Sequence, residues 1–555
     1  MLPQERSQTS RWGEACLAWV RERLGTNSLP SRIPPIPPLE PFALHSPQLQ
    51  DAEVNRLSIR QQLLDYVDEY IFNNIPTHLL RMSDMKLATR NEIWEAVRPK
   101  IEADVDAALT ELSSSDFVLC FMDQWCLKYI KKHLRYAIFS HRWGIGEPSF
   151  YEMSNKRCGG QVMPTGPGFE KLLQFCEKAR TDYGCAYVWS DTCCINKESS
   201  TDLEEAIRSM YRWYADADIC IVYLARSSSV DDFTMEPWFA RGWTLQELLA
   251  PKKMRFYGKE WTPIFPSANA GREGALEEYD LSGEHPDLSN DKENELLLGA
   301  LAEVTGIPVF DLRDFRPGCN RVFQKMIWTS KRRTTRIEDV AYSLLGIFDV
   351  TMPIAYGEGN RAFYRLMEVI AQRCDEPGFF AWAGPHSRYS NVFPLSPASY
   401  GRLDSQMVST LARADLFACG DLAFVITKSG LSVTLLLLLL DEYPSVSENG
   451  DVFACTFTPT NGKPLRQRQI ALHSSQGPYN MLSYEEHYAL GIVNYGRAAE
   501  GRGSLHVGAR YLCVLLKKDR LRGSDWIRES TDRVLTLRCK ETVTRELETV
   551  CLVHA

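Results

Sequence analysis

Glu247 is the one carboxylate in RGWTLQELLAP, residues 241–251. Wound as an α-helix, this stretch turns Leu245, Leu248 and Leu249 to one side and Trp243, Glu247 and Ala250 to the other, so the leucines face a core and the carboxylate faces away from it. Two roles compete for the same oxygens. With Thr244 three residues earlier, Glu247 can close a capping box and satisfy backbone amides at the helix start. Left free, it can stabilise a sugar cation: breaking an N-glycosidic bond builds positive charge at the ribose anomeric carbon, which a nearby carboxylate lowers in energy while holding ribose hydroxyls. Trp143 or Trp243 would supply an aromatic face for the leaving base.

Other polar groups cluster where short apolar runs end. YAIFSHRWG closes on Ser140, His141, Arg142 and Trp143; AYVWSD closes on Asp191, followed by Thr192, Cys193 and Cys194; ICIVYLA closes on Arg226 and the serines at 227–229. This set also admits a thiol chemistry, with Cys193 or Cys194 as nucleophile, His141 as base and Asp191 orienting it. Taken singly, each residue has an ordinary structural use as a turn former, a cap or a lid on the core.

The elements that must position these groups alternate. A strand at 136 is followed by a helix over 169–184, a strand over 186–191, a helix over 200–217, a strand over 219–225, the Glu247 helix, and a strand over 253–258. Strands that are almost wholly apolar and separated by helices predict a parallel sheet covered on both faces, a three-layer α/β domain. In such sheets ligands lie beyond the carboxyl ends of the strands, where the polar groups above converge.

Around this domain, residues 131–265, the chain reads as four further regions. Residues 1–50 form a proline-rich arm, 51–130 an amphipathic helical region and 266–374 a helical extension. Residues 375–555 carry short strands spaced by Pro, Gly and Ser, predicting a β-sandwich-like domain. In the extension, YGEGNRAF mimics a dinucleotide fingerprint, yet no strand–helix–strand unit surrounds it and a loop before a helix is expected. LSVTLLLLLL, residues 431–440, is too short to span a membrane and reads as a buried strand.

With 555 residues, 44% of them hydrophobic, the chain has material for several globular cores, and a formal charge of −8 argues against nucleic acid as the default partner. Its start has no continuous apolar run of the secretory kind, and its 16 cysteines show no paired metal-ligand spacing, so a cytoplasmic protein with reduced thiols and no metal is expected.

The stretch from YAIFSHRWG through VWSDTCCINKESSTDLEEAIRSMYRWYADADICIVYLA to PWFARGWTLQELLAP resembles the fungal HET (heterokaryon incompatibility) domain, and RRTTRIEDVAYSLLGIFDVTMPIAYGEGNRAFYRLMEVI resembles the segment C-terminal to that domain in such proteins. That resemblance implies a role in non-self recognition ending in growth arrest or death of incompatible fusion cells, with self-association and an incompatibility partner protein. The HET domain is in turn similar to TIR domains of flavodoxin-like fold, and the segment Arg241 to Glu247 resembles the one that carries the catalytic glutamate of NAD-cleaving TIR enzymes. This implies NAD+ as a substrate, with no separate cofactor. Glu247 would then be the catalytic carboxylate, with Ser140, His141, Arg142, Trp143, Asp191, Cys193, Arg241 and Trp243 around the substrate. A non-enzymatic assembly module is the alternative, since some TIR domains are adaptors.

Overall fold

A computed structural model describes residues 48–111, 122–154, 164–265, 290–402 and 422–553, the last range without 423, 441–444, 447–452, 456–467, 471–486, 499–500, 519–524, 532–533 and 539–541. Most of the proline-rich arm lies outside the described residues. Two long helices, α1 (Gln48–Asn73) and α2 (Arg90–Glu111), flank a hairpin of β1 (His78–Arg81) and β2 (Lys86–Thr89), and α3 (Met122–His133) follows. The hairpin corrects the all-helical reading of this region. Its strands, HLLR and KLAT, are four residues each, too short to display a period of two.

The α/β region then runs β3 (Tyr136–His141), α4 (Pro167–Thr181), β4 (Tyr187–Trp189), α5 (Ser200–Asp216), β5 (Ile219–Tyr223), α6 (Thr244–Leu249) and β6 (Met254–Tyr257). One sheet of six strands results, in the order β2-β1-β4-β3-β5-β6. From β3 to β6 the strands are parallel, while β1 runs antiparallel to β4 and carries β2 at the edge. The sheet is therefore mixed where a wholly parallel one was expected.

Both faces are covered, as fully buried strands require. Phe139 stacks on Phe175 of α4 at 4.3 Å, on one face. Trp189, in register with Ile138 on the other face, meets Trp213 of α5 edge-on at 5.8 Å. Helix α5 lies there because Ala206, Ile207, Met210, Trp213 and Tyr214 recur every three or four residues, and it begins where the Ser199 hydroxyl accepts from the Asp202 amide. In the order β4-β3-β5-β6 the connection after β3 leads to β4 on one side and that after β5 leads to β6 on the other, which makes the carboxyl ends of β3 and β5 the place where strand order reverses.

Downstream, α7 (Glu295–Thr305), α8 (Val322–Ser330) and α9 (Arg361–Ala371) form the helical extension with shorter turns between them. YGEGN, residues 356–360, is a loop before α9, as expected, and the Gly357 and Gly359 amides donate to Glu338 Oε1 at 2.8 and 3.0 Å, binding a carboxylate of the chain itself.

The C-terminal strands include β7 (Phe424–Ile426), β8 (Gly430–Leu440), β9 (Tyr488–Ile492), β10 (Arg510–Lys518), β11 (Trp526–Arg528), β12 (Leu535–Arg538) and β13 (Glu548–Val553). Here the sandwich expectation is corrected, because the ladders close into a ring, β8-β13-β11-β10-β9 and back to β8, with β7 and β12 attached outside it. The long β8 makes closure possible by pairing with β13 through 430–435 and with β9 through 436–440. A small ring needs room inside, and Gly491 gives it: a Cβ there would come within 2.8 Å of Leu435 Cδ1. No helix among the described residues is long and apolar enough to cross a membrane.

Candidate active site

Ser140 and Glu247, 107 residues apart, meet at the carboxyl end of β3. Ser140 Oγ donates to Glu247 Oε2 at 2.5 Å and accepts from Trp238 Nε1 at 2.9 Å. All three residues are buried. The other carboxylate oxygen, Oε1, has no hydrogen-bond partner among the described residues and is not among the sealed polar atoms, so it keeps contact with solvent. Burial, reinforced by the charge of Asp191, pushes the Glu247 carboxyl up to about 7, against the Ser140 hydrogen bond and the nearby charges of Arg241 and Arg332.

The capping box does not form. Trp243 already has helical dihedrals, so Thr244 lies inside the helix, and no side chain caps α6. The Thr244 hydroxyl instead lies within hydrogen-bond reach of the Trp238 carbonyl (2.7 Å) and the Arg241 carbonyl (2.9 Å), and it accepts from Arg332 Nη1. Glu247 is thereby left free of its own backbone.

Of the residues expected at this rim, Asp191, Trp143 and Arg241 stand near the carboxylate. Trp143 Nε1 donates to Asp191 Oδ2 at 2.8 Å, and Asp191 in turn acts on Glu247 through its charge. The Trp143 ring is exposed, carries the Lys197 ammonium 3.8 Å from its centroid, and has the Arg241 guanidinium at 6.0 Å. A base could stack on the Lys197 face only after that ammonium swings away. Arg142 is exposed, and its carbonyl accepts from Lys171 Nζ. Trp243 is half-buried and turns toward the extension, where it helps to hold down the Asp339 carboxyl that burial raises.

Other residues expected at the rim are elsewhere. His141 follows Ser140 in an extended strand and so projects to the opposite face, where its ring stacks on Phe139 at 4.1 Å with Nε2 3.5 Å from Glu147 Oε2. Burial lowers its pKa despite that carboxylate, and neither ring nitrogen makes a hydrogen bond. Glu147 is bonded by Lys171 and held down at about 2: burial opposes this, but the His141 ring and the Lys171 ammonium outweigh it. Cys193 is fully buried with its Sγ 3.9 Å from that of Cys194, and its thiol is pushed well above its usual value by that neighbour and by burial. A sealed, protonated thiol is neither a nucleophile nor a substrate contact. Arg226 and the serines after it are absorbed into a turn, with the Arg226 amide on Glu236 and the Ser228 amide on Asp232.

Trp238 and Arg332 were not foreseen. Trp238 sits in a 3₁₀ turn, Pro237–Ala240, that has no periodic signal, and Arg332 lies 85 residues beyond Glu247. Among the described residues no group of three His, Cys, Asp or Glu side chains converges as metal ligands.

Residues 136–236 match the family described as heterokaryon incompatibility protein (HET), so that segment of the chain is a HET domain. It is similar to the vegetative incompatibility protein HET-E-1 of Podospora anserina, at 38% identity over 251 residues, which make up 43% of this chain and 16% of that protein. The chain thus spans a small part of that relative's length. No solved structure matches it. Glu247 and Arg332 both lie beyond the segment matched by the family.

Proposed function

We propose that this protein acts as a cytoplasmic effector of vegetative incompatibility, and that its α/β region is a TIR-like domain that hydrolyses NAD+ at the nicotinamide N-glycosidic bond. NAD+ is a substrate in this reading. One observation carries it: Glu247 is buried at the end of β3 with one oxygen on Ser140 and the other unbonded. When the glycosidic bond breaks, its electron pair leaves with nicotinamide and the ribose carbon becomes cationic. The ionised Glu247 stabilises that cation, water adds to the carbon, and ADP-ribose and a proton are released. In this reading Asp191, Arg241 and Trp143 contact the rest of the dinucleotide. Depletion of NAD+ in fused cells would end in their death, with self-association on activation and an incompatibility partner protein as part of the same reading.

Purified full-length chain incubated with NAD+ tests this. Nicotinamide release that disappears in Glu247→Gln, with secondary structure retained, is the expected result. Absence of release from wild type in monomeric and assembled forms would favour the assembly module instead. The observation on that side is the exposure of Met235, Leu296 and Phe310 on neighbouring elements.

A further inference from the structure

Residues 332 and 333 lie alongside residues 240–242 like a short strand. The Arg333 amide donates to the Ala240 carbonyl at 2.7 Å, and the Gly242 amide donates to the Arg333 carbonyl at 2.8 Å. A Cβ at position 242 would stand 2.5 Å from Thr334 Cγ2, so any larger residue there requires that side chain to shift. The contact delivers Arg332 to the start of α6. Its Nη1 donates to the Arg241 carbonyl and to Thr244 Oγ1, both at 2.9 Å, and its Nε to the Trp328 carbonyl at 3.2 Å. No carboxylate pairs with it among the described residues, and Nη2 has no protein partner there.

An inward guanidinium held by carbonyls and a hydroxyl, without a counter-ion in contact, is costly unless its charge is used. The carboxylate that acts on it is Glu247. The other groups that face Glu247 are Asp191 after β4, Arg241 before α6, Ser140 of β3, Tyr214 of α5 and Cys220 of β5; burial keeps the last two protonated. Asp191 favours the neutral acid, so positive charge from Arg241 and Arg332 is what favours the ionised form.

We propose that Arg332, contributed by the helical extension, is a positioning residue of the Glu247 site: it fixes the first turn of α6 and supplies charge that keeps the carboxylate ionised for its work on a cationic sugar. The proposal rests on the catalytic reading of Glu247 given above. Its consequence is that the site is complete only when the extension is docked on the α/β region.

The test uses full-length Arg332→Met and Arg332→Lys, with Arg332→Gln as a second neutral variant should the methionine form fail to fold. In the pH dependence of kcat/KM for NAD+, the neutral variant moves the acid limb to higher pH by about half a unit or more, while the lysine variant leaves it close to wild type. A limb that stays in place in the neutral variant overturns the proposal. The same variants are read without turnover by infrared titration of the carboxyl band that vanishes in Glu247→Gln. If wild type releases no nicotinamide but the neutral variant raises that titration, the catalytic reading fails and the positioning role stands; an unmoved band overturns the positioning role.

Discussion

Glu147 and Glu247 are carboxylates withdrawn from water near the same end of β3, and the chain treats them in opposite ways. On the His141 face, Glu147 receives an ammonium from Lys171 and the ring of His141, and its pKa falls to about 2. On the Ser140 face, Glu247 receives one hydroxyl, has a second carboxylate nearby, and rises to about 7. Burial raises both; the difference lies in the partners. A compensated carboxylate adds to stability, whereas an undercompensated one is tolerated where its charge has another use.

Replacing each carboxylate by its amide should separate the two faces. Glu247→Gln has the largest expected effect. The unfolded carboxyl titrates near 4.5 and the folded one near 7, so the folded chain holds the proton more tightly between these values and wild-type stability falls as pH climbs through them. The variant lacks this loss, so its melting advantage over wild type should widen from pH 5 to pH 8, by up to roughly 3 kcal/mol. Glu147→Gln should do the reverse. The stability contributed by Glu147 is present above about 4.5 and lost as pH falls toward about 2. This variant should be less stable by roughly 2 kcal/mol at neutral pH, converge with wild type in acid, and retain nicotinamide release. Denaturant melts across pH check both.

Ser140→Ala probes the Glu247 face alone. It removes the donor to Glu247 and leaves Trp238 Nε1 without an acceptor, so a loss of about 1–2 kcal/mol and a further rise in the Glu247 titration are expected, read by melts and by the activity profile. Cys193→Ser, the smallest effect on function, should leave nicotinamide release unchanged, because the thiol is sealed in the core. Loss of activity in that variant, with Glu247→Gln active, would restore the thiol reading.

These contrasts mark what was legible in the sequence. The alternation of buried strands and helices was, because apolar runs such as ICIVY and the three- to four-residue spacing in α5 record their own burial. The convergence of Ser140, Asp191 and Glu247 followed from the rule that strand ends share a rim. The misplacement of His141 came from the end of β3: YAIFSH stays extended through its polar residues, so Ser140 and His141 face apart. Hairpin β1–β2 and the closed C-terminal ring depend on pairings between segments too short or too distant to leave a pattern. Trp238 and Arg332 reach Ser140 and α6 only through tertiary contact, and nothing in their neighbourhoods distinguishes them from core aromatics or surface cations.

Whether a buried and undercompensated Glu247 must ionise to work is read most directly from the pH dependence of nicotinamide release from NAD+ by the full-length chain. Activity should rise with pH through an inflection near 7 that is lost with all turnover in Glu247→Gln. Turnover that survives in that variant, or an inflection in the ordinary carboxylate range near 4.5, would refute the role assigned to this carboxylate.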